Sequence, residues 1–112
     1  MERFLPLRPV EFDILLSLAA GERHGYGIIQ DAKARGGAAP DVGTVYRALR
    51  RLGDQGLIEA VSRRDVADGE DERRNYYRLT ALGEKVARAE ARRLEALARE
   101  ARVVGLLGEA AG

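Results

Sequence analysis

Apolar positions along the chain fall into short periodic runs, separated by glycine, proline and charged segments. Phe12, Leu15, Leu16 and Ala19 recur at helical spacing behind Pro9, a residue suited to a first helical turn, and Gly21 follows as a stop. The pattern predicts a helix over about 9–20. Tyr26, bracketed by Gly25 and Gly27, leads into Ile28, Ile29 and Ala32 and predicts a second helix over about 26–35, ended by Gly36-Gly37. Asp41 is a good N-cap and Gly56 a good residue just past a helix end, so a third helix is expected over about 42–54. The period then shortens to two. Leu57–Ser62 and Asn75–Leu79 read as strands, with Tyr77 and Leu79 on one face and Tyr76 and Arg78 on the other. The segment RRDVADGEDERR between them is polar and turn-forming, which makes the pair a hairpin with a long tip. Thr80 can cap a last helix over about 81–106, in which Leu94, Leu97, Ala101 and Val104 keep the 3-4-3 spacing of a helix–helix seam.

The expected fold is mainly α with a small β-hairpin. Three short helices before a hairpin is the order of a winged helix-turn-helix, with the hairpin as wing and the third helix as candidate recognition helix. Residues 1–80 would form that DNA-binding domain, and 81–112 a C-terminal dimerisation helix and tail.

Wound at about 100° per residue, the third helix divides cleanly. Val45, Ala48, Leu49 and Leu52 share one face. Gly43, Tyr46, Arg47 and Arg50 occupy the opposite face, with Thr44 and Arg51 at its flank. No acidic residue lies between Val42 and Gly53. Arginine can bind phosphate bidentately or read guanine, and a glycine in the first turn lets a phosphate approach a helix N-terminus closely. An ordinary solvated helix face is the bland alternative. The acid-free run and the position before a hairpin favour a DNA backbone as the missing counter-charge.

Charge as a whole does not argue for nucleic acid, because 19 Lys and Arg against 18 Asp and Glu leave a net +1. Its placement does. Arg63-Arg64 and Arg73-Arg74 stand at the two bases of the hairpin loop, where they can reach flanking phosphates or a minor groove. Asp65, Asp68, Glu70, Asp71 and Glu72 share that loop, so a solvated loop with internal ion pairs is the other reading. A winged-helix protein–protein adaptor that uses the same scaffold without DNA also fits the balanced charge.

Other chemistry finds little support. There is no Cys, and His24 is the only histidine, so neither metal-ligand spacing nor a nucleophile–base pair is present. Gly25-x-Gly27 lacks the third glycine and the preceding strand of a phosphate loop, and His24 is better read as shaping the turn before the second helix. No enzyme and no cofactor are expected. Neither a signal peptide nor a membrane-length apolar run is seen, so the expected location is the cytoplasm.

Three blocks, HGYGIIQ, GTVYRALRRLGDQGLIEA and RRNYYRLTALGEKV, match in order and spacing, and with them the chain resembles the PadR family of bacterial transcriptional regulators. The resemblance covers about residues 9–107. It implies a homodimeric winged-helix protein that binds a palindromic operator in double-stranded DNA and acts as a repressor. It implies Thr44, Tyr46, Arg47, Arg50 and Arg51 in or beside the groove, and Tyr26 near the DNA backbone. It assigns the last helix, together with the N-terminal one, to the dimer interface, where Phe12, Leu94, Leu97, Ala101 and Val104 are the apolar candidates. The length resembles the subfamily with a single C-terminal helix. Such a dimer has room for a small hydrophobic effector between subunits, near the first and last helices. Val42 and Arg47 stand where many members carry Pro, and the wing is unusually acidic. Without Trp, the flat-drug binding between tryptophans found in some short members does not carry over.

Overall fold

A computed structural model describes residues 2–36, 41–61 and 76–108. After a 3-10 turn at Glu2–Phe4 the order is α1 (Pro9–Ala19), β1 (Arg23–His24), α2 (Gly25–Ala34), α3 (Val42–Asp54), β2 (Ile58–Val61), β3 (Tyr76–Leu79) and α4 (Ala81–Val103). Local caps set these boundaries. Asp41 caps α3 by accepting the Thr44 amide, and Thr80 caps α4 by accepting that of Gly83. Past α3, Gly56 takes a φ of +78°, and the Leu57 amide turns back to the Leu52 carbonyl at 3.0 Å.

Four helices and a small sheet make the winged-helix arrangement expected from the sequence, with two differences. The sheet has three strands, in the antiparallel order β1-β3-β2. The extra strand is two residues long, too short for alternation to register, and pairs Arg23 with Tyr77 and His24 with Tyr76. On the other side of β3, Glu59 opposes Arg78, whose Nε lies 2.6 Å from the carboxylate. The last helix stops at Val103, short of the expected 106. There Gly105 adopts a φ of +85° and the Leu106 amide bonds the Ala101 carbonyl at 2.8 Å.

The core gathers one face of each helix. Ile14, Leu15 and Leu18 of α1 meet Ile28 of α2, Leu52 of α3 and Val86 of α4, and Tyr77 and Leu79 pack on from the sheet. The spacing through Phe12, Leu15, Leu16 and Ala19 suggested a single apolar face on α1. Instead Leu15 goes inward with Ile14 and Leu18, while Leu16 and Ala19 stay exposed and Phe12 half-buried. Helix α1 is therefore apolar on two sides, one of them facing away from the core.

Helix α4 starts where α3 ends. The Thr80 hydroxyl donates to the Gly56 carbonyl at 2.6 Å, and the Thr80 amide to the Leu57 carbonyl at 3.1 Å. Gly83 allows this approach, since a Cβ there would stand 1.9 Å from the Leu57 oxygen. Beyond Glu90 the helix leaves the core, and none of its residues is buried.

Candidate nucleic-acid interface

The wheel drawn for α3 holds in three dimensions. Val45, Ala48, Leu49 and Leu52 are buried, while Tyr46, Arg47 and Arg50 are exposed on the other side. Among the described residues, Arg50 forms no ion pair, and Arg47 reaches only the Thr44 hydroxyl, with Nη2 at 3.3 Å. That hydroxyl in turn donates to the Asp41 carboxylate, whose other oxygen accepts the Thr44 amide at 3.2 Å. Asp41 is thus held below the usual carboxylate range, first by the Thr44 hydroxyl and then by the Thr44 amide. The chain Asp41–Thr44–Arg47 runs along the first turns of α3 and brackets Gly43. A Cβ on Gly43 would lie 3.1 Å from Arg47 Nη1 and 3.2 Å from an Asp41 oxygen.

Arg51 differs from its neighbours. Its Nε lies 2.8 Å from the carboxylate of Glu11, a residue only 6% exposed on α1. Its charge is matched within the molecule, while Arg50 forms no ion pair among the described residues and Arg47 feels the Asp41 carboxylate beside Thr44 without pairing with it.

Helix α2 brings aromatic groups to the same region. His24 caps it, its Nδ1 accepting the Gly27 amide at 3.1 Å. The imidazole stacks with Tyr26 at a centroid distance of 6.4 Å and meets the edge of Tyr76 at 5.4 Å. Tyr26 itself is 55% exposed. Tyr46 leans from α3 onto the start of α2, over Gly25: a Cβ on that glycine would be 2.6 Å from the phenolic oxygen. An open groove of about 480 Å³ runs from Tyr46 and Arg50 to Ile58 and Tyr77, between α3 and the sheet. Arg63, Arg64, Arg73 and Arg74 lie outside the described residues.

The apolar candidates for a dimer contact lie elsewhere on the surface. Leu97 is 56% exposed and Leu94 and Val104 are also exposed, Ala101 is half-buried, and Val104 is the C-cap of α4 rather than a helical residue. Phe12 and Leu16 of α1 line a second groove, about 520 Å³, closed by Leu79, Ala87 and Ala91. Among the described residues no group of three metal-ligating side chains exists, and no helix is long and apolar enough to cross a membrane.

Four residues with clear positional roles escaped the sequence reading: Gly25, Glu11, Gly83 and Glu90. A local signal existed for Glu11, at the third position of a helix opened by proline, where a carboxylate can reach back to the preceding amide.

Residues 14–89 match the Transcriptional regulator PadR-like family. Transcriptional regulator Rv3488 of Mycobacterium tuberculosis is 38% identical over 91 residues, 81% of this chain and 80% of that one. A transcriptional regulator from Clostridium thermocellum, Cth-833, shares 28% identity and superposes with a TM-score of 0.69, covering 88% of this chain and 90% of that chain. The fold is also that of Bacillus subtilis PadR, solved in complex with operator DNA (24% identity, TM-score 0.63, 75% of this chain and 47% of that one). With the family matched over most of its length, the chain belongs to the PadR-like transcriptional regulators, a family of regulators and not of enzymes.

Proposed function

We propose that the chain is a homodimeric repressor that binds a palindromic operator in double-stranded DNA, each α3 entering a major groove. The observation that carries this is the outer face of α3, where Tyr46, Arg47 and Arg50 stand exposed with no acid paired to them among the described residues. Water alone can solvate such a face, but a run of arginines with no paired acid is also the arrangement that phosphates would meet, releasing their counterions. Gly43 and Thr44 serve the close approach of a phosphate to the α3 N-terminus, and Tyr26 contacts the backbone beside it. Arg51 acts as a tie to Glu11 and not as a base reader. The arginine pairs at 63–64 and 73–74 serve flanking contacts from the wing. The fold shared with Bacillus subtilis PadR, solved on its operator, supports the reading.

Dimerisation falls to α4 and the outward side of α1. The exposed seam of Leu94, Leu97, Ala101 and Val104 is apolar at helix-pairing spacing, and Phe12 lines the groove beside it. On this reading residues 1–80 bind DNA and 81–112 join the subunits, within the cytoplasm. A small hydrophobic effector that enters the groove between α1 and α4 would relieve repression. Titrating wild type and Arg50→Ala against the chain's own promoter fragment tests the face assignment: equal affinities would overturn it. Salt-independent, unselective binding by the wild type would point instead to an adaptor on the same scaffold.

A further inference from the structure

Two consecutive backbone amides are each held by a buried carboxylate, from two different helices. The Leu7 amide donates to Glu90 of α4 at 2.9 Å, and the Arg8 amide to Glu11 of α1 at 2.8 Å. Glu90 is 1% exposed. Each carboxylate also binds one arginine: Arg93 donates to Glu90, and Arg51 of α3 to Glu11. A buried carboxylate is costly unless its partners are well placed, so both side chains have little freedom to swing. The result is a continuous polar path from α4, through residues 7–8 and α1, to the flank of α3.

Helices α3 and α4 have little direct contact, and α1 packs against both. Besides that shared packing, two hydrogen-bonded links relate them. One is the turn at Gly56-Leu57, against which Thr80 and Gly83 sit. A single link is a pivot; the second, at Glu90, fixes the direction. We infer that Glu11 and Glu90 form a clasp that sets the angle between α3 and α4, and through it the half-site spacing that the dimer reads. The angle stands on geometry alone; the spacing rests on the proposed DNA-binding dimer. Lever arithmetic makes the effect large. Helix α4 has 23 residues, so a tilt of ~5° moves its far end ~3 Å, close to one base-pair step.

Glutamine at either position keeps the shape but turns an amide NH2 toward a donor, which opens the clasp. The chain has no cysteine, so Asp54→Cys on α3 and Arg99→Cys on α4 accept spin labels selectively. Labelled full-length chain, diluted with unlabelled chain, reports the α3–α4 distance within one subunit. Glu11→Gln, Glu90→Gln and Arg51→Met are each expected to broaden that distribution, while Glu84→Gln, whose partner Arg88 is on its own helix, leaves it narrow. Arg51→Met removes only the outer link and leaves both buried carboxylates on their amides; because it strips Glu11 of its counter-charge, retained helicity of every variant by circular dichroism is the guard against simple misfolding. Operators with the spacing changed one base pair at a time give the second readout. The preference for the best spacing is expected to fall about fivefold in Glu11→Gln and Glu90→Gln, with single half-site affinity retained. Unchanged distance distributions would overturn the clasp. Broadened distances with wild-type spacing preference would overturn its link to spacing. Broadened distances in a protein that prefers no duplex would support the clasp and overturn the DNA reading instead.

Discussion

Tyr46 lies across Gly25, and the two residues fit only because one of them has no side chain. A Cβ at position 25 would stand 2.6 Å from the phenolic oxygen and 2.8 Å from the carbon that bears it. Replacing a helical glycine by alanine ordinarily stabilises by ~0.5–1 kcal/mol. Here that gain is expected to be largely offset, by about 0.5–1.5 kcal/mol, because the exposed outer end of Tyr46 must swing aside, and promoter binding is expected to weaken as Tyr46 is displaced. In a Tyr46→Ala background the same change should stabilise without that offset. Denaturation and binding measured on all four members of the cycle check both statements.

Gly83 and Gly53 make a sharper pair. Both are helical, but a Cβ on Gly83 would meet the Leu57 carbonyl oxygen at 1.9 Å, whereas nothing lies within 4 Å of one on Gly53. Gly83→Ala is expected to lose about 3 kcal/mol or more, because a backbone atom cannot step aside. Gly53→Ala is expected to gain ~0.5–1 kcal/mol. Urea unfolding of the two variants should shift in opposite directions.

Much of this was legible in the sequence, and the missing parts share a cause. The caps at Asp41 and Thr80, the stop at Gly56 and the division of α3 into two faces depend only on residues within a few positions of one another, which a linear pattern records. The Glu11–Arg51 and Glu90–Leu7 contacts join residues 40 and 83 positions apart, and no periodicity announces them. Gly25 shows in the sequence only as one of two glycines bracketing Tyr26, because its reason for being small, Tyr46, sits on the next helix. Strand β1 exists only by pairing with Tyr76 and Tyr77. Helix α4 ends short of the apolar spacing, which runs on through Val104, because Gly105 takes a left-handed backbone and stops it.

Acid should expose the Glu90 contact. The Arg93 guanidinium, and after it the Leu7 amide, favour the ionised carboxyl, and together they outweigh desolvation to hold its pKa below the usual carboxylate range. A group depressed by folding contributes stability that is complete above its unfolded-state pKa of ~4.3 and is lost as pH falls through the lower folded-state value. Glu90→Gln is expected to cost about 1.5–3 kcal/mol at neutral pH and to flatten the decline below about pH 4. Stability curves for the two proteins that run parallel from pH 7 to pH 3 would contradict this.

Charge placed in the exposed seam should separate the subunits. Leu97→Asp sets a carboxylate where the account has an apolar helix pair, and no core contact is lost because Leu97 lies outside the core. Sedimentation equilibrium is expected to show a folded monomer, with helicity kept and promoter affinity greatly reduced. A dimer that survives both Leu94→Asp and Leu97→Asp would place the interface elsewhere.

The arginines of α3 are expected to differ from one another. Arg47→Ala and Arg50→Ala should each lower affinity, by about 1–3 kcal/mol where the contact is to guanine, or reduce the salt slope by about 0.9 where it is to a phosphate. Arg51→Ala should act mainly on stability, since its guanidinium is bound to Glu11. Binding titrations at several salt concentrations separate the three.

The most direct test of the central claim is a titration of the purified chain against its own upstream promoter DNA, with random duplex as competitor, at two salt concentrations. Selective binding with two chains per site, weakening steeply as salt rises, is the expected result. Equal and weak binding to promoter and random duplex, across genome-wide fragments as well, would contradict it.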